Sequence, residues 1–246
     1  MALSALVQIT DQDTNSASAT QGGAALGQVA STPDGRIFTY AKAGAANLAA
    51  GKIVQPAAVT ANYATRTLSV AQAVGSNQVT VTLGTTAAQD LFAGFYLVVT
   101  DGVGKGQGAY KVVGNTAATA GNSNTTVVTI ENALNVALDA TSVVGLYPSQ
   151  FSALVISAEG SAPAVPISGA PVVPVTAAYY FWVQTGGMAS VLSDGAVTKN
   201  AGAIASNAVG GAVEIEVAGT VTRRVGYAPE LTVDTKYSPL VLTLDC

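Results

Sequence analysis

The chain contains no histidine, and this absence excludes more chemistry than any other feature of its composition. Ser-His-Asp and Cys-His nucleophile systems need an imidazole to move the proton, so neither can be built here. Cysteine is almost as scarce: Cys246, the last residue, is the only one. One thiol makes no disulfide framework and no His/Cys zinc site. No cluster of bases surrounds it in sequence to stabilise a thiolate, so it reads as inert. Carboxylate-only acid–base chemistry is what remains open.

Charge is scarce as well. Ten basic and fourteen acidic residues among 246 give a net charge of −4, and charged residues are only 10% of the chain, against a usual ~25%. With no basic patch, nucleic acid is not an expected partner. No apolar run reaches the ~18 to 20 residues that span a bilayer; the longest candidate, Val172 to Val183, is broken by Pro174 and Thr176. The first ten residues carry no basic residue ahead of their apolar part, which makes a poor secretory signal. Hydrophobic residues make up 49% of the chain. A surface so poor in charge is expected to meet other protein; the alternative is a surface solvated by Thr, Ser, Asn and Gln.

What is present is a succession of short strand patterns. The densest runs from Tyr179 to Gly187, Tyr-Tyr-Phe-Trp-Val-Gln-Thr-Gly-Gly, and includes the only Trp. Aromatic and β-branched residues favour a pleated, half-buried surface. Alternation places Tyr180, Trp182 and Gln184 on one face and Tyr179, Phe181 and Val183 on the other. Both faces are loaded, so the strand is expected to be central or to meet a second layer or chain. Tyr180, Phe181 and Trp182 are the expected core anchors, and Gly186-Gly187 the expected strand end.

Further strands are expected at Arg36 to Lys42, Gly51 to Gln55, Arg66 to Val70, Gln78 to Leu83, Phe95 to Thr100 and Ala109 to Val113. The series continues with Thr126 to Glu131, Val143 to Tyr147 and Ser152 to Ser157. It closes with Met188 to Leu192, Val213 to Val217, Val221 to Val225 and Leu240 to Leu244. Thr85 to Leu91 has the composition of a short helix, and Asn115 to Asn124 reads as a polar loop without an apolar anchor. Strands recurring between turn signals, with no long helical period, indicate an all-β fold with a barrel- or sandwich-like core. The expected organisation is an extended N-terminal arm over residues 1–35, a β core domain from 36–63 and 150–246, and an inserted β subdomain over 64–149. The arm is polar and lacks periodicity, so it is expected to lie against a neighbouring subunit or its own domain.

Three motifs invite chemistry and fail its requirements. Gly102-Val-Gly-Lys-Gly-Gln-Gly108 lacks the Ser or Thr after Lys105 that a phosphate loop needs, and a strand follows rather than a helix. Asp11-Gln-Asp13-Thr-Asn15 opens like a calcium loop but has Ser16 and Gly22 where that loop needs Gly and Glu. Arg223-Arg224 is the only basic pair; after Glu214 and Glu216 in an expected hairpin, it sets one Arg opposite one Glu, the alternative being contact with an acidic patch on a partner. No cofactor or metal site is expected.

Several phrases together resemble head decoration, or capsid-cement, proteins of tailed bacteriophages. They are Gly35-Arg-Ile-Phe-Thr-Tyr-Ala-Lys-Ala-Gly44, Leu48-Ala-Ala-Gly-Lys-Ile-Val54 and Gly106-Gln-Gly-Ala-Tyr-Lys-Val-Val-Gly-Asn115. The later ones are Phe181-Trp-Val-Gln-Thr-Gly-Gly187, Val225-Gly-Tyr-Ala228 and Tyr237-Ser-Pro-Leu-Val-Leu-Thr-Leu244. The resemblance implies a non-enzymatic protein of the virion exterior, made in the bacterial cytoplasm. It would bind the major capsid protein of an assembled shell, often as a homotrimer, and clamp neighbouring capsomers. Met1, Leu3, Leu6, Val7 and Ile9 of the arm, with Arg223 and Arg224, are then the candidate capsid or oligomer contacts. The alternative is a receptor- or glycan-binding module of a phage tail or fibre, with exposed aromatics such as Tyr179 and Phe181 doing the binding.

Overall fold

A computed structural model describes residues 7–158, 165–217 and 223–244. It is nearly all β. The chain divides into two compact units, Met1–Ala57 with Gln150–Cys246, and Ala58–Ser149.

The first unit begins with β1 (Val7–Gln8), α1 (Asp11–Thr14), β2 (Ala17–Ser18), β3 (Val29–Ser31), β4 (Ile37–Lys42) and β5 (Val54–Pro56). The second unit holds β6 (Arg66–Thr67), β7 (Gln78–Thr82), β8 (Phe95–Asp101), β9 (Ala109–Asn115), β10 (Thr125–Ile130) and β11 (Val143–Pro148). The chain returns to the first unit through β12 (Leu154–Ile156), β13 (Ala170–Pro171), β14 (Tyr180–Leu192), β15 (Gly202–Ala205), β16 (Val213–Ile215), β17 (Arg224–Tyr227) and β18 (Tyr237–Thr243).

β14 is the axle of the first unit. Its first half pairs with β4 on one side, Trp182 opposite Tyr40 and Phe181 opposite Ala41. On the other side that half meets β2 and β13. Its second half pairs with β18, from Gly186 opposite Thr243 to Leu192 opposite Tyr237. The sheet runs β1-β3-β4-β14-β18-β17-β15-β16. Gly186-Gly187 therefore does not end the strand. The register with β4 shifts just before it, between Gln184 and Gly186, and Gly187 adopts φ +80, a left-handed conformation that glycine enters without steric cost. The bulge lets one strand continue while its pairing partners change.

Both faces of the first half are packed. Phe181 and Val183 join Ala41, Leu48, Val54, Phe151 and Leu154 in one cluster. Trp182 joins Ile9, Ala30, Phe38 and Tyr40 in another, with Tyr180 against it. A third cluster gathers Val191, Val213, Val225, Leu240 and Leu242 from the second half and its neighbours. Each fully buried side chain of this size contributes about 1.5–3 kcal/mol.

Residues 7–31 lie against their own unit, one of the two expected placements, and are joined to it by strand pairing. β1 lies parallel to β3, β3 is antiparallel to β4, and β2 pairs with β14. Ile9 and Ala30 are buried. α1 is only four residues long, with a capping box in which the Thr10 hydroxyl accepts from the Asp13 N–H and the Asp13 carboxylate accepts from the Thr10 N–H. Sequence periodicity misses the segment because it supplies few apolar side chains and gains its order from the sheet it joins.

In the second unit the strand order is β6-β11-β8-β9-β10-β7. β7 comes back to the segment after β6 through a bridge between Leu68 and Val81 and a bond from the Ser69 N–H to the Thr80 carbonyl. The sheet thus nearly closes on itself, around Val79, Val81, Leu97, Val112, Val128, Ile130 and Leu146, a filled interior as small barrels have. The unit starts at residue 58, earlier than the expected 64, because Tyr63 packs edge-on against Phe92 and its carbonyl accepts from the Leu146 N–H.

Three further expectations change. Rather than a helix, the stretch from Thr85 makes an isolated bridge from Ala87 to Ala118 and then turns over residues 89–94. The Asn115 side chain holds them, accepting from the Phe92 N–H and donating to the Ala88 carbonyl. The 115–124 loop does have anchors, since Asn115 and Ala118 are buried. Val217 is exposed rather than turned inward with Val213, because β16 ends at Ile215.

Gly187→Ala is expected to destabilise the first unit by about 1–2 kcal/mol, the cost of a Cβ in the left-handed region. That Cβ would also sit 3.2 Å from the Arg36 backbone. Trp182 is the only Trp, so denaturant unfolding followed by its fluorescence reads this unit directly. An unchanged midpoint would mean that the bulge is not under this constraint.

Candidate functional site

The outer face of the β14–β18–β17 run carries several exposed apolar side chains. Met188 and Tyr227 both stand opposite Val241, one from each neighbouring strand. Directly opposed residues share a face with Cβ atoms about 4.5–5.5 Å apart, so the three form one row. Met188 is 51% exposed and Tyr227 41%. Further along, Ser190 opposes Pro239, and Leu192 opposes Tyr237, which is 53% exposed. Leu231 and Val233, between β17 and β18, are exposed too. Tyr237 and Ser190 also border a groove of about 710 Å3 whose walls include Leu48, Gly51, Pro171 and Val172.

A second concavity, of about 320 Å3, lies between the N-terminal segment and the aromatic strand. Tyr40, Tyr180 and Trp182 line it with Asp13, Ser16, Ser18 and Gly22-Gly23. Tyr40 meets Trp182 edge-on at 5.1 Å and lies nearly parallel to Tyr180 at 6.1 Å. The Tyr40 hydroxyl accepts from the Gly22 N–H, which fixes its ring. Lys42 holds its ammonium 5.1 Å from the Tyr180 ring centre, a cation–π contact.

The residues singled out from sequence are scattered by the fold. Val7 is exposed on β1. Ile9 is buried against Phe38 and Trp182, so it serves the core and is withdrawn as a surface contact. Met1, Leu3, Leu6 and Cys246 lie outside the described residues. Trp182 and Phe181 are buried, and Tyr180 is half-buried. Phe181 is 1% exposed and packs into a core cluster, which leaves its ring no face for a ligand, and Tyr40, unmarked in the sequence, shares a concavity with Trp182.

Arg224 does pair with Glu216, its Nε and Nη2 both donating to Oε2, but not across a simple hairpin. β15 lies between β16 and β17, and the ion pair closes over Gly202, where a Cβ would stand 2.1 Å from the Glu216 oxygen. Glycine is what lets the two side chains meet across an intervening strand. The pair is solvent-facing and is worth at most about 1 kcal/mol. Arg223 is exposed beside it.

The acidic run does not gather as a metal site. Asp11 pairs with Arg36 while Asp13 caps its helix, and no group of three or more candidate ligands occurs among the described residues. Gly102 to Gly108 is the connection of the β8–β9 hairpin, with Gly102, Gly104, Gly106 and Gly108 all at positive φ. Among the described residues no helix is long and apolar enough to cross a membrane.

Compared with known proteins, the chain matches no family model, no curated protein and no solved structure.

The turn before β4 carries a measurable electrostatic signature. The Thr32 hydroxyl donates to Asp34 at 2.5 Å and Arg36 donates to the other carboxylate oxygen. Together they hold the Asp34 carboxyl down to about 2, Thr32 making the largest single contribution. A depressed folded-state value means that the linked stability is fully present above the ordinary carboxylate range and is lost as pH falls through about 2. Carboxyl NMR titration is expected to find Asp34 near that value, and to find it raised in Thr32→Val. An Asp34 that titrates in the ordinary range in the wild type contradicts this arrangement.

Proposed function

We propose that the chain is a non-enzymatic virion structural protein that binds the outer surface of an assembled phage capsid. On this reading it acts as a homotrimer and stabilises contacts between neighbouring capsomers. The observation that carries the reading is the exposed row Met188–Val241–Tyr227 with Tyr237 beside it. A contiguous apolar face on a chain this poor in charge fits a surface covered by other protein. The resemblance adds support. Four of its six phrases, Gly35 to Gly44, Phe181 to Gly187, Val225 to Ala228 and Tyr237 to Leu244, are far apart in sequence. They fall on β4, β14, β17 and β18, consecutive neighbours in one sheet.

The mechanism is mass action. A protein that binds the assembled lattice and not its separated subunits stabilises the lattice by the free energy of binding. A trimer engaging several capsomers adds avidity without new contacts.

Purified protein mixed with empty shells of the major capsid protein is expected to bind saturably at a fixed ratio. Met188→Glu and Tyr227→Glu, each placing an unpaired charge on the face, are expected to weaken binding about tenfold or more with folding unchanged. Absence of saturable binding overturns the shell reading, and full binding by both variants removes this face from it.

A further inference from the structure

The glycine-rich connection of the β8–β9 hairpin opens with an Asp-Gly pair. Such a pair is open to attack of the glycine nitrogen on the preceding carboxyl, because glycine puts no Cβ in the way. The chain has three of them, Asp34-Gly35, Asp101-Gly102 and Asp194-Gly195, and no Asn-Gly. The fold treats the three differently. The Gly35 N–H donates to the Thr32 carbonyl at 2.9 Å, and the Asp34 carboxylate is held by Thr32 and Arg36. The Gly195 N–H donates to Asp234 at 2.7 Å, and Asp194 accepts from the Ser206 hydroxyl. In both pairs the nitrogen and the carboxyl are engaged elsewhere. At the third pair the Gly102 N–H donates to Oδ1 of Asp101 itself, at 2.8 Å, and has no other acceptor among the described residues.

That bond folds the carboxyl group back over the nitrogen it would react with, the pre-positioning that makes an intramolecular step fast. The Asp101 side chain is 71% exposed, so water reaches it. We propose that Asp101-Gly102 is a self-modification site, at which the chain converts aspartate to isoaspartate through a cyclic imide. In the first step the Gly102 nitrogen attacks Cγ of the protonated carboxyl. The N–Cγ bond forms, the Cγ–OH bond breaks, and the hydroxyl leaves with the amide proton as water. In the second step water adds to the imide. Cleavage between the nitrogen and the Asp101 main-chain carbonyl carbon leaves isoaspartate, and cleavage at Cγ restores aspartate. The product carries one more backbone atom at a point without slack: a Cβ on Gly102 would stand 2.0 Å from the Thr141 carbonyl oxygen. The added atom therefore displaces the hairpin connection. The Gly102 N–H, and after it Lys105, hold the Asp101 carboxyl below its ordinary value, so mildly acidic solution favours the protonated form that reacts. The site does not depend on the shell reading.

The full chain is incubated for several weeks at mildly acidic pH and physiological temperature, beside three synthetic peptides that each span one Asp-Gly pair. Isoaspartate is mapped by mass spectrometry with electron-transfer fragmentation, which cleaves the isomer's lengthened backbone into distinct ions. The peptides lack the fold, so the rate in the chain divided by the rate in the matching peptide reads what the fold does at each site. That ratio is expected to be higher at Asp101 than at Asp34 and Asp194 by about tenfold. A ratio at Asp101 no higher than at the other two, or no isoaspartate at that position, overturns the proposal.

Discussion

The first unit depends on one constraint: β14 must remain a single strand while its neighbours change. The first half of the strand is hydrogen-bonded to β4 on one side and to β2 and β13 on the other, and the second half to β18. A regular strand would carry its pleat and twist straight through that exchange. The register with β4 slips between Gln184 and Gly186, and the left-handed Gly187 follows directly at the point of exchange. Around it three packed clusters meet along one thirteen-residue strand. The N-terminal segment, the apolar outer face and the aromatic pocket are all positioned by this element.

That dependence explains which features were legible in the sequence. The loaded faces of Tyr180 to Val183 were readable because period-two alternation is local. The same holds for Leu240, Leu242 and Leu244, all buried. The role of Gly186-Gly187 was not readable, since a glycine pair marks a stop and a bulge alike and the partner strands decide between them. β15 escaped notice because Gly202-Ala-Ile-Ala205 has small residues and a single β-branched one. Its position between β16 and β17 is a non-local fact, and it altered the path of the Arg224–Glu216 pair. Thr85 to Leu91 had helical composition but too few residues to nucleate a helix alone, and the buried Asn115 side chain offered its backbone a better set of bonds.

The candidate sites were less legible than the fold, for the same reason. Tyr40 and Trp182 are brought into contact only by the β4–β14 register. Met188, Val241 and Tyr227 become a row only once β18 lies between β14 and β17. No single stretch of sequence contains either site. Ile9 shows the converse error: an apolar residue in a polar segment looked available for a partner, and it is consumed by the core. Exposed apolar groups that survive folding, rather than apolar residues of the sequence, are the ones left for a partner.

Oxidative footprinting of the protein free and bound to empty capsid shells tests the central functional claim most directly, because it reads side chains at the proposed face. The account predicts that Met188, Tyr227 and Tyr237 are protected on the shell, while exposed residues of the second unit such as Val74 and Val103 keep their reactivity. Unchanged modification of all three residues in the bound state would contradict it.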